Sequence, residues 1–170
     1  IRDVTFADDK FSMLKNYCHL VISGNNNSNV AELHNLLFHL ANQNPKQVDD
    51  ILVDVFDTYT KICNEQLANS IKTGNFKIKV FTEIYNTYYQ NAQRLSKFMT
   101  YFDTRVYSDE SNKYSHIGTI RSYLFYKNVI NQKYFYIDDK EYYLYEILTK
   151  VIETGDGNIN ELLQLFKMYS

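Results

Sequence analysis

Apolar and polar positions recur with a helical period along most of this chain. The longest such stretch runs from Phe76 to Tyr107. It places Val80, Ile84, Tyr88, Leu95, Phe98, Met99, Phe102 and Val106 on one amphipathic helix. A turn around Asp109–Lys113 follows, and a helix from His116 to Ile130 carries Ile117, Ile120, Leu124, Phe125, Val129 and Ile130. One helix cannot bury a stripe of that length, so the other segments must pack along it.

Upstream, residues 8–22 read as a first helix capped by Asp8 or Asp9, with Phe11, Leu14, Cys18 and Val21 inward. Gly24 ends it in a polar loop. Asn29 caps a second helix from Val30 to about Asn42, whose inward stripe is Leu33, Leu37, Leu40 and Ala41. Val30, His34 and Phe38 form a second face beside that stripe. A helix apolar on two faces is either deeply buried or keeps one face for a partner. Pro45 breaks this helix and starts a third, over 46–71, with Val48, Leu52, Val55, Tyr59, Ile62 and Gln66 at alternating steps of four and three. Gly74 ends it. After the central helices, 131–139 reads as an apolar connector with Tyr134, Phe135, Tyr136 and Ile137 lying against the bundle. A helix over 140–152, with Leu144, Ile147, Leu148 and Val151 inward, is followed by a Gly155-Asp156-Gly157 turn. A short last helix starts at Asn158. The expected fold is all-α, a single domain of about five main helices plus two short C-terminal ones.

Composition supports that class. With 170 residues, 45% hydrophobic and 16% aromatic, the chain can build a substantial core. One proline and five glycines leave little turn chemistry for a many-stranded sheet. The frequent Asn, Tyr and Ile have AT-rich codons, which points to the genome of a large DNA virus or a protozoan. A net charge of −2 without a basic stripe argues against a nucleic-acid partner. No apolar run reaches the ~18 residues that cross a bilayer, so no membrane segment is expected. Cys18 and Cys63 fall on apolar helix positions and read as buried free thiols of a reducing compartment.

Catalytic chemistry finds no frame. His34 and His39 are five apart on one helix and diverge, whereas metal ligands there want a spacing of three or four. Phosphate-binding glycine loops, nucleophile elbows, C-x-x-C and H-E-x-x-H are all missing. Asp103, Asp109 and Glu110 read as solvated turn residues. No cofactor, metal or enzyme activity is expected.

Several strings, in order, resemble the N-terminal repeat of the cullins. Ala31-Glu32-Leu33-His34 followed by Phe38 is similar to the family's second helix, with His34 where Tyr is usual. Lys97 to Tyr107 resembles its fourth-helix end, and Leu124 to Ile130 its fifth-helix end. Anchoring the fifth helix on Gly118 or on Phe125 gives registers three residues apart. Ile147 to Ile159 resembles a segment with a glycine turn, with Glu153-Thr154 and Asp156 departing from its Glu-Arg and Glu. The likeness is to the branch that recruits BTB-domain adaptors, and it spans about Asp9 to the C-terminus.

The resemblance implies a cullin-repeat-like bundle over about 8–130, with a helical extension over 131–170. It also implies a docking surface for a BTB or Skp-like adaptor on the second and fifth helices: Val30, Ala31, His34, Asn35 and Phe38, with Ser115, Thr119, Ser122, Tyr123 and Tyr126. The ubiquitin-transfer machinery of a cullin lies in regions these 170 residues do not contain. Such a module is expected to be a decoy that displaces a host cullin, to recruit an adaptor elsewhere, or to be the adaptor-binding arm of a ligase. It would be monomeric without its adaptor and would work in the cytoplasm (the host's, for a viral protein) or nucleus. The competing reading is a structural or assembly protein that self-associates through its aromatic surface.

Overall fold

The computed structural model describes residues 2–24, 30–74, 76–98, 117–155 and 160, and the side chains of 10–24, 31–74, 76–97, 121–155 and 160. These residues are helical but for one small hairpin, so the chain is all-α as its periodicity predicts. The helices are α1 (Arg2–Ile22), α2 (Val30–Gln43), α3 (Pro45–Lys72), α4 (Ile78–Phe98), α5 (Ile117–Phe125) and α6 (Leu144–Glu153). A π turn, Tyr126–Ile130, extends α5. Strands β1 (Lys133–Phe135) and β2 (Glu141–Tyr143) pair antiparallel between that turn and α6. The expected helix over 99–107 and the turn at 109–113 lie outside the described residues, as does the last helix from Asn158 except for Asn160, which is helical and exposed.

The chain divides into two compact units, Ile1–Tyr59 with Gln90–Arg121, and Thr60–Tyr89 with Ser122–Ser170. In the first, α1 packs against α2. Phe11, Leu14, Cys18 and Val21 are buried from α1, and Leu33, Leu37, Leu40 and Ala41 from α2, as their spacing predicts; Ile22 joins them. The helix α1 begins at Arg2, earlier than the expected Asp8 or Asp9 cap. Pro45 opens α3, where a missing N–H costs nothing. Asn44 caps that helix, its side-chain oxygen accepting from the Gln47 amide at 3.2 Å. Val48, Leu52, Val55 and Phe56 complete this core with Ala92 and Leu95. At the surface, Lys15 Nζ lies 2.6 Å from Asp54 Oδ2.

In the second unit the core consists of Cys63, Leu67 and Ile71; Phe76, Ile78, Phe81, Tyr85 and Tyr88; and Leu124, Phe125 and Val129. Tyr134, Leu144, Ile147, Leu148 and Val151 close it. The α3 stripe differs from its expectation here: Thr60, Cys63 and Leu67 are buried, while Ile62 is 44% exposed and Gln66 is exposed. Steps of four and three average 3.5 residues per turn, and a straight helix of 3.6 drifts away from such a stripe. In α4 Tyr88 and Leu95 are buried as expected, but Val80 and Ile84 are only half-buried, and Ile78, Phe81 and Tyr85 take the inward positions at its start.

The expected connector 131–139 is half of a hairpin, and the expected helix from 140 starts only at Leu144. Residue pairs Lys133–Tyr143, Tyr134–Tyr142 and Phe135–Glu141 face each other. Asp138 and Asp139 turn the chain at φ 57° and 54°, a left-handed conformation that Asp tolerates better than most residues. Only Tyr134 of this run is buried; Phe135 and Ile137 are exposed.

Candidate interaction surfaces

On α2, in the first unit, the residues that do not face the core define an outer face. Ala31, His34, Asn35 and Phe38 are all exposed, Phe38 by 49%. They follow one another at i, i+3, i+4 and i+7, which puts them on one side of the helix. Phe38 meets His39 edge-on, with ring centroids 5.8 Å apart. Glu32, half-buried beside this face, accepts from the Tyr17 hydroxyl of α1, which raises the Tyr17 pKa. The backbone of Val30 starts the helix, and its side chain lies outside the described residues.

The remaining sequence candidates are on α5 and the π turn. Ser122, Tyr123 and Tyr126 belong to the second unit and are exposed, Tyr126 by 50%. Their neighbours Leu124 and Phe125 point inward. Phe125 stacks on Tyr88 with centroids 4.8 Å apart and meets Tyr85 edge-on at 5.4 Å. Ring contacts of this kind fix the rotation of α5 and so aim Tyr123 outward. Thr119 lies on α5 in the first unit, its side chain outside the described residues, and Ser115 lies outside them altogether.

Sequence reasoning missed a feature beside Tyr126. A cavity of about 230 Å³ is lined by Phe81, Tyr126, Ile130, Tyr143, Leu144 and Tyr145. That is below the usual size of a small-molecule site and matches one or two side chains. Tyr143 and Tyr145 stack with centroids 5.8 Å apart, and Tyr145 is 65% exposed. The only signal for it in the sequence was the Tyr142–Tyr145 run, which the helical reading absorbed.

Among the described residues no group of three or more His, Cys, Asp or Glu is arranged to hold a metal ion. Cys18 and Cys63 are buried free thiols, and burial pushes both up to about 12. His19 is held below its ordinary range, by partial burial first and then by the charge of Lys15. Asp103, Asp109, Glu110 and His116 lie outside the described residues. No described helix is long and apolar enough to cross a membrane. Compared with protein-family models, curated proteins and solved structures, the chain finds no match in any of the three.

Proposed function

We propose that this chain is a non-catalytic, cullin-like module that docks BTB-domain adaptors, or Skp-like ones, and acts as a viral decoy for a host cullin in the cytoplasm or nucleus. The observation that carries this reading is the outer face of α2. Ala31, His34, Asn35 and Phe38 stand in solvent while Leu33, Leu37, Leu40 and Ala41 of the same helix are buried. An exposed aromatic ring framed by polar side chains is the pattern of a binding anchor and its rim. The class of partner comes from the cullin resemblance of the strings above. Ser122, Tyr123 and Tyr126, all exposed, extend the same proposal to the second unit.

A pulldown and calorimetry panel of BTB-domain and Skp-like adaptors tests it, with the wild type beside a Phe38→Ala, Tyr123→Ala variant. Binding of a BTB-domain adaptor is expected, with a loss of at least about 2 kcal/mol in the variant. Failure of every adaptor to bind would sink the docking reading; binding that ignores both substitutions would sink the assigned surface.

The second reading, an assembly protein that self-associates, is favoured by the exposed Phe135, Ile137 and Tyr145 around the hairpin. Light scattering separates the two, since a decoy stays monomeric at micromolar concentration without its adaptor.

A further inference from the structure

A helix leaves its last four carbonyls without intrahelical donors, and a π turn is a rare geometry that persists where something holds it. At the end of the π turn four successive carbonyls each have a donor. Tyr126 O accepts from the Asn131 amide at 2.8 Å, five residues on, and Lys127 O from Gln132 Nε2 at 2.9 Å. The next two donors come from farther away. Asn128 O accepts from Asn64 Nδ2 of α3 at 2.9 Å, and Val129 O accepts from the Tyr134 hydroxyl of β1 at 2.6 Å. Asn64 also donates to that same hydroxyl at 3.0 Å, which joins the two donors into one unit. The Asn128 amide completes the tie by donating to Thr60 Oγ1 at 2.9 Å.

The opposite side of this turn is the wall of the cavity. Tyr126, Ile130 and Asn131 all line it. In a helix each residue of register is about 100° of rotation, so a return from π to α register turns Ile130 and Asn131 relative to Tyr126. The cavity they line together would then change shape, and so would the setting of the Tyr126 ring.

We propose that Asn64 and Tyr134 form a latch that holds 126–130 in the π register and thereby sets how Tyr126 is presented at the surface. That Tyr126 meets an adaptor rests on the docking reading; the latch does not. Both are positioning residues, since neither is needed at the surface itself. Tyr134→Phe is the sharpest probe, because it removes one hydroxyl and leaves the ring that fills the core.

The experiment reads, by NMR, the coupling across the hydrogen bond from the Asn131 amide to the Tyr126 carbonyl, the bond that defines the π register. It is read together with the emission of a Tyr126→Trp reporter, which is unambiguous because the chain has no Trp of its own. Expected in a folded Tyr134→Phe protein is loss of that coupling, with the Asn131 amide coupling to the Lys127 carbonyl instead, as the α register requires. The emission maximum of the indole reporter should shift in the same background. An unchanged coupling to Tyr126 overturns the latch, and a changed coupling with unchanged indole emission overturns its role in presenting Tyr126. If circular dichroism shows that Tyr134→Phe does not fold, Asn64→Ala removes the bond to Asn128 O and is read by the same two signals. Adaptor titration runs in parallel: failure of the wild type to bind counts against the docking reading, while coupling and emission still decide the latch.

Discussion

The ring of Phe125 lies nearly parallel to that of Tyr88, 19° between planes and 4.8 Å between centroids, and both rings are buried. This stack seats α5 on α4 within the second unit. Truncating Phe125 to Ala removes a fully buried ring and leaves a void, so a loss of about 3–5 kcal/mol in urea unfolding is expected. A loss under about 1 kcal/mol would show that the stack does not hold the helix.

The bond from the buried Asn128 amide to Thr60 predicts an asymmetry between single and double changes. Thr60→Val takes away the acceptor and should cost about 1–3 kcal/mol. Replacing both partners, Thr60→Val with Asn128→Leu, should cost less than the sum of the singles, since no buried donor is then left facing an apolar side chain. A double-mutant cycle from unfolding curves checks this, and strict additivity would contradict it.

The two buried thiols predict how stability varies with alkaline pH. Burial raises the folded pKa of Cys18 and Cys63 to about 12, above the ordinary value of 9.0. As pH passes 9, the unfolded chain sheds thiol protons that the folded chain keeps. The unfolded state therefore holds fewer protons, and stability falls. The full contribution is present below pH 9 and is lost as pH rises from 9 towards 12. Each thiol adds a slope of up to about 1.4 kcal/mol per pH unit across that range. A Cys18→Ala, Cys63→Ala variant should show a shallower fall in unfolding free energy than the wild type over that range. An unchanged slope in that variant would contradict the assignment.

The Lys15–Asp54 pair, for all its short distance, should contribute little. Both side chains are about half exposed, at 46% and 49%, so water screens them. A double-mutant cycle is expected to give a coupling below about 1 kcal/mol, falling further as salt is raised. A coupling that survives molar salt would mean that the site is drier than its exposure indicates.

Short, regular stripes were readable in advance. Every inward position expected on α1, α2 and α6 is buried, because each stripe covers four turns or fewer and no drift accumulates. The long helix α3 was harder. A stripe of alternating four and three, started at Val48, holds through Val55 and then misses by one at Thr60, Cys63 and Leu67. Thr60 and Cys63 are small and weakly apolar, whereas Ile62 beside them is strongly apolar and exposed, so composition pulled the reading the wrong way. The hairpin was hidden for a different reason. Its turn uses two Asp residues at positive φ where a glycine would have announced it, and the Tyr-rich strands have no strict alternation. Of the candidate surface, the α2 face followed directly from helical period. The cavity beside Tyr126 did not, because it depends on a π turn, and no local pattern marks where a helix gains a residue per turn.

The ties that end α5 also constrain when this chain can complete its fold. Thr60 and Asn128 are 68 residues apart, and Asn64 and Tyr134 are 70. Closing a loop of that length costs roughly 4 kcal/mol in chain entropy, whereas a single such hydrogen bond returns about 1. The polar ties therefore cannot lead. They must wait until burial of Phe125 and Val129 has drawn the turn onto α3, and until Tyr134 has left the ribosome. The helices should thus regain their circular dichroism early in refolding, with protection of the Asn64 side-chain amide, which donates to Asn128 O and the Tyr134 hydroxyl, the last event in the second unit.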